Sequence, residues 1–451
     1  MEASDTVTNV AKILSAQVLA NEAAVKKLRE GDLYSFERDV LGLFIQIFEL
    51  VMREVLQTVA KQVCQTYRAR YQASGLHKWK PRRLRIELHT GGGVEVESLY
   101  AKSVRGTVEG SRHLIERHWC IHAGCSPLRM SQIGMCSALC PSYDTANEIL
   151  SLTSSTQSVG RLRNATMELA RQCAQKEVSL CLAKGESLAG KHVLISIDGG
   201  RTRTRIYPDE SAGKKAGCTY HTPWCEPKVF VIQALDEHKK AGSIQLPIYG
   251  ARFGEEDVLG LLSQYLQALH IDQATSVQLV ADGAAWIWAN IPNMLVSLGV
   301  PKERITETLD HIHAVEYLNN LINAFPKYFS NARVKELTQQ FPAWLWQGKI
   351  DKIITCCKLI FMRPRQEVKR WINYLEKHKK RMQYAHFKEN NQACGSGIIE
   401  SGIRRIINLR FKNASTFWYK ENVEKLFFLR ATCLAKRWNI FIHNLLSLHH
   451  P

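Results

Sequence analysis

The sequence has little that would place the chain in a membrane or outside the cell. Its most apolar run, Val40 to Met52, is shorter than the about 20 residues of a bilayer span and contains Gln46 and Glu49. The first residues show no basic stretch followed by an apolar one, so no secretory signal is predicted. Thirteen cysteines without such a signal indicate reduced thiols or metal ligands rather than a disulfide framework. We therefore expect a cytoplasmic protein.

Acidic residues are also scarce relative to basic ones. The 451 residues contain 42 Asp and Glu against 60 Lys and Arg, which gives a formal net charge of +18 and a pI near 9.3. Such an excess favours association with phosphate backbones over acidic or neutral partners. The length, with 45% hydrophobic residues, is sufficient for roughly two to four domains with apolar cores. The composition indicates a globular chain with a polyanionic partner.

The first part of the chain is predicted to be helical. Apolar residues recur at spacings of three and four between Phe36 and Val55, which is typical of a helix with a wide apolar face. That face either packs in the core or joins two chains in a dimer, because both kinds of surface share the pattern. The basic segment that follows is either a solvated linker or an arm facing DNA, and it contains Lys80, Arg82 and Arg83.

Four cysteines follow a strand-like region that spans residues 84–117 and contains a glycine turn. They are Cys120, Cys125, Cys136 and Cys140. Two pairs with short internal spacing can supply four thiolates in a tetrahedron, the arrangement that a structural zinc prefers, and His118 or His122 could replace one of them. Alternatively, the cysteines are small apolar side chains buried on a helical turn. The sequence predicts that all four lie close in space under either interpretation.

From Lys191 onward the pattern alternates between strands and helices. Strands are predicted at residues 192–197, 229–235, 276–281 and 304–309, with a helix around residues 259–269 between the second and third. Three of these strands end in an aspartate, namely Asp198, Asp282 and Asp310. A short strand after Asp198 alternates arginine with threonine, so a period of two places Arg201, Arg203 and Arg205 on one face.

A further acidic residue, Glu400, lies near the carboxyl end in the motif Gly395-Ser-Gly-Ile-Ile-Glu400-Ser. The small residues form a turn that opens a helix; with Ser396 as its N-cap, Glu400 falls near the first turn, where the helix dipole favours an anion. The region 314–390 before it is polar, basic and helical, with a cluster that includes Lys379 and Lys380. Because long unstructured loops are uncommon in compact domains, this region is predicted to be an inserted helical subdomain.

Five parts are therefore predicted along the chain. They are a helical region for dimerisation or DNA end binding at 1–75, a basic arm with the cysteines at 76–188, a first catalytic part at 189–313, the helical insertion at 314–390, and a last catalytic part at 391–451. The predicted fold class is α/β.

Acids at neighbouring strand ends and on a flanking helix can converge on one site. Three such carboxylates can hold two divalent cations about 3.5–4 Å apart for phosphodiester chemistry. Asp198 at the end of a central strand would bridge both ions, Asp282 would hold one ion and Glu400 the other. A single Asp-Gly step more often marks a turn, so the interpretation depends on all three acids together.

The ordered motifs resemble the DDE transposases of insertion sequences, closest to the ISKra group. The resemblance spans about residues 32–438 and rests on Asp198-Gly-Gly-Arg, Ala-Asp282-Gly-Ala-Ala-Trp, Asp310-x-x-His313-Ala, Gly-Ser-Gly-x-x-Glu400-Ser, and Arg410-Phe-Lys412 before Trp418. It implies an RNase H-like catalytic domain, dependence on two Mg²⁺ ions that Mn²⁺ can replace, and cleavage and insertion at terminal repeats. Asp198, Asp282 and Glu400 match the three acids of the family.

Further residues are assigned accessory or DNA-binding roles. Asp310 and His313 are similar to the Asp-x-x-His element of Mutator-like transposases, although a histidine that caps the strand or packs in the core fits equally well. Arg404 lies four residues after Glu400 and shares its helical face, where it either guides the scissile phosphate or faces solvent. Arg410 and Lys412 are expected to contact DNA, as are the basic residues named above.

Three functions compete. The first is an active transposase that binds terminal inverted repeats and target DNA as a homodimer or higher oligomer associated with the nucleoid. The second is a repressor, or a host-adopted DNA-binding protein, on a transposase scaffold. The third is an RNase H-like nuclease or junction resolvase, which would cut branched or hybrid substrates without joining strands. The helical insertion and the basic arms favour the first, since a transposase grips DNA over many contacts.

Overall fold

The computed structural model describes residues 2–73, 76–103, 112–152, 154, 157–173, 175–207, 219–239, 245–324, 330–412 and 416–448. Residues 104–111 of the predicted strand-like region lie outside these ranges. No helix in the described ranges combines the length and apolarity needed to cross a membrane.

Ten strands and nineteen helices make up the described elements. The strands are β1 (Leu76–Glu87), β2 (Gly93–Ser103), β3 (Arg112–His113), β4 (His192–Gly199), β5 (Thr202–Arg203), β6 (Trp224–Cys225), β7 (Lys228–Leu235), β8 (Ile248–Arg252), β9 (Ser276–Ala281) and β10 (Ile305–Leu309). The helices are α1 (Glu2–Ala20), α2 (Glu22–Arg29), α3 (Leu33–Ala73), α4 (Leu114–His118), α5 (Pro127–Leu139), α6 (Tyr143–Ser151), α7 (Val159–Cys173), α8 (Glu177–Cys181), α9 (Glu255–Ala268), α10 (Ala285–Ser297), α11 (His311–Asn323), α12 (Asn331–Trp346), α13 (Ile350–Ile360), α14 (Gln366–His378), α15 (Tyr384–Glu389), α16 (Gly397–Ile403), α17 (Leu409–Phe411), α18 (Lys420–Leu434) and α19 (Trp438–Ser447). Short 3₁₀ turns occur at Ile271–Gln273, Lys302–Arg304 and Lys379–Arg381, and a π-helical turn spans Arg404–Asn408.

The chain divides into two compact units. Of the described residues, the first contains those up to Ile133 and Asn147–Ala165, and the second contains Gly134–Ala146 and Thr166–Leu448. Helices α5, α6 and α7 have residues in both units. The five predicted parts follow the sequence motifs rather than these units, and their boundaries stay predictions.

The first unit is built on helix α3, which packs against the antiparallel hairpin of β1 and β2. Its core includes Ala60 from the helix and Leu84, Val94 and Val96 from the strands. Other apolar residues of α3 remain exposed, among them Phe44 (44%), Val51 (54%) and Val55 (50%). Only part of the predicted apolar face is therefore buried within the chain, and the predicted dimer remains a hypothesis.

The basic segment is a strand rather than a linker or a free arm. Lys80, Arg82 and Arg83 lie in β1 and are exposed, while Leu84 and Ile86 further along the same strand are buried. The guanidinium of Arg82 lies over the Tyr100 ring at 4.4 Å. The sequence prediction missed this strand start because lysine, proline and arginine obscure the alternation on its exposed edge.

A buried carboxylate connects β1 to two helices of the first unit. Glu87 is 7% exposed and accepts hydrogen bonds from Arg129 Nε at 2.7 Å and Arg161 Nη2 at 3.1 Å. The Cys125 thiol lies 3.9 Å from the same carboxylate. A buried charge needs such partners, because an unpaired one costs several kcal/mol, of order 3–5. Glu87 therefore fixes α5 and the start of α7 against the hairpin.

The second unit is centred on a mixed five-stranded sheet in the order β10-β9-β4-β7-β8. Strands β4, β9 and β10 are parallel, whereas β7 and β8 run antiparallel to their neighbours in a meander. The central strand β4 is buried from Val193 to Ile197, as expected for a strand covered on both faces. The α/β prediction is confirmed at this level.

Four of the five sheet strands match the predicted ones within two residues at each end. The fifth, β8, was not predicted, because five residues with Gly250 at the centre carry little strand signal. A Cβ at Gly250 would overlap the Phe230 ring, so the glycine permits the close packing of β8 on β7 and α9. Between β10 and α16, the described residues form helices α11–α15 and no strand.

Candidate active site

Three aspartates lie side by side where parallel strands end. Asp198 is the penultimate residue of β4, Asp282 directly follows β9, and Asp310 directly follows β10. The ladder pairs Ile197 with Ala281 and Ala281 with Leu309, so the three aspartates come next in register. Neighbouring strands lie about 4.8 Å apart, which places these residues on one edge of the sheet. We call this group the carboxylate edge.

Asp198 is the residue whose ionisation is most strongly perturbed at the carboxylate edge. Burial is the largest cause and raises its pKa to about 6, and the charges of Asp282 and Glu226 add to the increase. The Gly199 amide donates to Asp198 Oδ1 at 2.6 Å and, together with His313, opposes the increase. A carboxylate crowded by other anions is typical of a site that binds a cation or exchanges a proton.

Asp282 is held by the turn that begins helix α10. Its Oδ1 accepts a hydrogen bond from the Ala284 amide at 2.9 Å, and its backbone carbonyl accepts one from Trp288 Nε1 at 2.7 Å. Trp288 is buried against Arg381, whose guanidinium lies 4.3 Å from the ring. The tryptophan thus fixes the backbone of the Asp282 turn.

Buried Asp310 and half-buried His313 form a pair that links three elements. Asp310 is the N-cap of α11 and accepts from the His313 amide at 3.2 Å and from the Ser396 amide at 2.7 Å. His313 Nδ1 lies 2.8 Å from Asp310 Oδ2. This hydrogen bond raises the pKa of His313 to about 9 against the effect of burial, and the charges of Asp282 and Asp198 contribute. His313 is therefore a cation at neutral pH.

For Asp310 itself, burial would raise the pKa, but the hydrogen bonds from His313 and Ser396 outweigh it and lower the pKa. The capping residue is thus Asp310 rather than the histidine, and it caps helix α11 rather than a strand. His313 in addition brings a positive charge to the two neighbouring aspartates. His311 lies in the same helix, where its ring stacks on Trp346 at 3.8 Å between centroids.

Glu400 lies on helix α16, which packs on β4 and β7. Ser396 precedes the helix as predicted, but its side chain makes no capping hydrogen bond; its hydroxyl lies 3.5 Å from Glu400 Oε1. Glu400 is exposed, as is Arg404. A π-helical turn begins at Arg404 and ends at Asn408, which is half-buried. Such turns are rare in proteins, and those that occur often lie at functional sites.

Carboxylate oxygens are the ligands that Mg²⁺ prefers, so the chemistry of the carboxylate edge fits this ion. In the described part of the chain, however, no three His, Cys, Asp or Glu side chains are grouped at metal-binding spacing. The structure places Asp198 and Asp282 together and does not bring Glu400 to them. The triad and its two Mg²⁺ ions accordingly stay a proposal.

The basic residues predicted to bind DNA differ in exposure. Those with exposed side chains are Lys80, Arg82, Arg83, Arg201, Arg203, Lys379, Lys380, Arg404 and Lys412, and Arg205 is half-buried. Lys379 is paired with Asp351 at 3.1 Å. The alternation of Arg201, Arg203 and Arg205 on one face is present, with Thr202 and Thr204 buried on the other, although β5 itself is only two residues long.

Arg410 corrects the prediction of a DNA contact. The side chain is 1% exposed and lies over the rings of Tyr143 at 4.9 Å and Trp418 at 5.2 Å. Burial lowers the pKa of its guanidinium. In this position Arg410 packs within the second unit and does not face a DNA backbone.

The four cysteines are divided between the two units. Cys120 and Cys125 belong to the first, and Cys136 and Cys140 to the second. Burial raises the pKa of the Cys125 thiol to about 11, with a further contribution from Glu87. The zinc site stays a prediction, and so does the expectation that all four lie close together.

Tyr374 is a residue of the site that the sequence did not indicate. It lies in α14, its ring stacks on Tyr317 at 3.6 Å, and a Cβ on Gly283 would overlap its hydroxyl. Among the described residues this buried hydroxyl has no hydrogen-bond partner. Burial is the main cause that raises its pKa, followed by Tyr317, Asp282 and Asp310. Tyr374 thus brings a proton donor from the helical region to the Asp282 turn.

No protein-family model and no curated protein sequence matches this chain. Among solved structures, one described as "Drosophila P element transposase strand transfer complex" is 12% identical, covers 71% of this chain and 81% of that chain, and has a TM-score of 0.28. Another, "Crystal structure of NurA with manganese", is also 12% identical, with coverages of 65% and 66% and a TM-score of 0.09. These TM-scores are too low to establish a shared fold, and the function is therefore inferred from the site.

Proposed function

We propose that the chain is a DNA transposase of an insertion sequence, which binds terminal repeats and catalyses Mg²⁺-dependent strand cleavage and strand transfer. Asp198, Asp282 and Glu400 are its three acids. The observation that carries the proposal is the carboxylate edge, where Asp198 and Asp282 are adjacent in register and the pKa of Asp198 is raised to about 6. Two adjacent, partly desolvated carboxylates are costly unless a cation compensates them.

The sheet supports the RNase H-like part of this proposal. A central strand with an antiparallel meander on one side and two parallel strands on the other is the arrangement expected of that fold, and the order β10-β9-β4-β7-β8 has it. The first acid lies on the central strand and the second follows its parallel neighbour. The last acid lies on a helix packed on the same sheet.

The residues divide the chemistry among them. Mg²⁺, when bound, supplies Lewis-acid stabilisation of a phosphoryl oxygen and lowers the pKa of a bound water. Asp198 and Asp282 would hold the ion, with Glu400 as the third ligand donor. His313, protonated near neutral pH and held by Asp310, places a fixed positive charge beside the two aspartates and can attract the scissile phosphate.

Tyr374 completes the groups at the Asp282 turn. Its hydroxyl is neutral because burial and nearby anions disfavour the phenolate, so it can donate a hydrogen bond. The exposed basic residues and the net charge of +18 provide phosphate contacts along the bound DNA. The carboxylate edge therefore carries out catalysis, and dispersed arginines and lysines bind the DNA backbone.

A strand-joining assay tests the proposal. The purified chain is incubated with Mg²⁺, duplexes that carry inverted repeats found beside its gene, and a supercoiled target plasmid. We expect cleaved and joined products with the wild type and none with Asp198→Asn, Asp282→Asn or Glu400→Gln, each of which removes one charge and almost no volume. Glu237→Gln, at a side chain that is 88% exposed, is the matched control and should join as the wild type does.

Other outcomes would support the competing functions. Specific binding of the repeats without cleavage would indicate a repressor. Cleavage of branched or hybrid substrates without joining would indicate a nuclease or resolvase. Joining by one of the three acid variants at the wild-type rate would remove that residue from the site.

A further inference from the structure

A cluster of five aromatic residues, three exposed and two half-buried, lies beyond the end of β4 in the second unit. We call it the aromatic patch, and it consists of Tyr207, Tyr220, Trp224, Phe417 and Tyr419. Trp224 is 51% exposed, Tyr220 40% and Tyr419 37%. Large aromatic side chains normally bury much of their area, so several exposed together indicate a binding surface.

Four of the five rings form a connected series, and Trp224 lies beside them under Arg203. Tyr207 stacks on Tyr419 with centroids 5.9 Å apart and planes 26° from parallel. Tyr207 also contacts Tyr220 at 5.5 Å, and Tyr220 contacts Phe417 at 6.1 Å. Mutual contacts limit the rotation of these rings, so their exposed faces are pre-arranged for a flat ligand.

Two arginines complete the surface. The guanidinium of Arg203 lies over the Trp224 ring at 4.7 Å, and that of Arg205 lies over the Tyr419 ring at 4.2 Å. Arg201 and Arg203 are exposed, and among the described carboxylates none forms an ion pair with either of them. Stacked rings beside exposed guanidinium groups match the bases and phosphates of a nucleic acid strand.

The patch is continuous with the carboxylate edge through the backbone. Strand β4 carries Asp198 and ends at Gly199; the Gly200 amide donates to the Pro227 carbonyl at 2.8 Å, and Arg201 comes next. The antiparallel pair of β5 and β6 lies between the end of β4 and the start of β7 along the chain. Glu226, which follows β6, is close enough to raise the pKa of Asp198. A strand bound on the patch would lead directly to the aspartates.

We propose that the aromatic patch binds an unpaired DNA strand next to the carboxylate edge, with bases stacked on Trp224 and Tyr220 and phosphates on Arg201 and Arg203. Bases within a duplex are covered by their neighbours, so only unpaired ones can stack on these rings. DNA as the occupant rests on the proposed function. Binding itself needs neither metal nor catalysis and is measured separately.

Fluorescence anisotropy with a labelled 15-nucleotide poly(dT) strand tests the proposal, in EDTA so that no cleavage occurs. A lost base stack corresponds to a roughly 5- to 150-fold loss of affinity, and we expect Trp224→Ala to fall in this range. Trp224→Phe retains a ring and should recover most of the affinity. Tyr34→Ala is the matched control, because Tyr34 is 68% exposed under Arg38 at 6.0 Å but lies in the first unit.

Comparison with a 15-base-pair duplex identifies what the patch recognises. We expect Trp224→Ala to weaken binding of the single strand much more than binding of the duplex. Equal affinity of Trp224→Ala and wild type for the single strand would overturn the proposal, as would an equal loss for both substrates. A chain that binds the single strand through Trp224 but never joins repeats would keep the patch and refute the transposase. A wild-type chain that joins repeats, together with a Trp224→Ala variant that binds the single strand as the wild type does, would support the transposase and refute the patch.

Discussion

Replacing Asp198 by asparagine is expected to stabilise the second unit at alkaline pH in the absence of divalent cations, while it abolishes strand cleavage. The pKa of Asp198 is raised from its ordinary value of 3.8 to about 6, mainly by burial. A folded-state pKa above the unfolded one means that ionisation opposes folding at every pH above about 6. Asparagine keeps the acceptor for the Gly199 amide and removes the charge.

The size of the stability change follows from the pKa shift of Asp198. A difference of about 2 pKa units corresponds to about 3 kcal/mol of destabilisation above pH 6, and this penalty disappears as the pH falls through 6 toward 4. The second unit contains about 300 residues, and with about 2.1 cal/mol/K of unfolding entropy per residue each kcal/mol shifts its melting temperature by roughly 1.6 °C. Asp198→Asn is therefore expected to melt up to about 5 °C above the wild type at pH 8, and within about 1 °C of it near pH 4.

Differential scanning fluorimetry in EDTA at pH 8, 6 and 4 measures this difference. Glu237→Gln, the exposed control, should leave the melting temperature unchanged at all three values. Saturating Mg²⁺ should raise the melting temperature of the wild type and not that of Asp198→Asn, since bound cation compensates the charge. A variant that melts at or below the wild-type temperature at pH 8, or a difference that does not depend on pH, would refute this reasoning.

Four further results are expected. His313→Gln should lower the free energy of unfolding by up to about 3 kcal/mol at pH 6 and not at pH 10. Protonated His313, whose pKa is raised to about 9, contributes its full stabilisation below pH 6.5 and loses it as the pH rises through 9. Urea denaturation as a function of pH measures this change. Tyr374→Phe should leave stability within about 1 kcal/mol of wild type, since the hydroxyl has no partner, and should slow cleavage about 10- to 100-fold, the effect of one hydrogen bond to a charged group. Glu87→Gln should destabilise the first unit by about 3–5 kcal/mol in urea, because buried Arg129 loses its counter-charge; a loss below about 1 kcal/mol would contradict this. Elemental analysis of chain purified without added metal should give one zinc per chain if the four cysteines hold the ion, and a content equal to the buffer blank would end that hypothesis.

The sheet of the second unit was largely predictable from sequence. Strands β4, β7 and β9 are apolar runs buried on both faces, and such runs are visible without any knowledge of their neighbours. Strand β8 was missed because its burial depends on Gly250 fitting under Phe230, a contact that no local pattern records. The start of β1 was missed because consecutive residues there are exposed and polar, so the sequence lacks the alternation of apolar and polar residues that marks a strand.

The site was predictable in its position and less so in its chemistry. Aspartates at the ends of parallel strands meet at one edge, so the proximity of Asp198, Asp282 and Asp310 follows from the strand pattern. Tyr374 comes from a distant helix, and only the folded chain brings its hydroxyl to Gly283. Arg410 has the same charge as its exposed neighbour Lys412, and the sequence gives no sign that one is enclosed by aromatic rings and the other is not.

The claim that the carboxylate edge is a divalent-cation site is tested most directly by Mn²⁺ binding, measured by electron paramagnetic resonance on the full chain without DNA. We predict saturable Mn²⁺ binding to the wild type at pH 8, competition by Mg²⁺, and loss of binding near pH 5, where a proton occupies Asp198 because its pKa is about 6. Asp282→Asn should lose the binding at pH 8 while Glu237→Gln retains it. Undiminished Mn²⁺ binding by Asp282→Asn, or binding that persists unchanged at pH 5, would contradict the assignment of this edge as the catalytic centre.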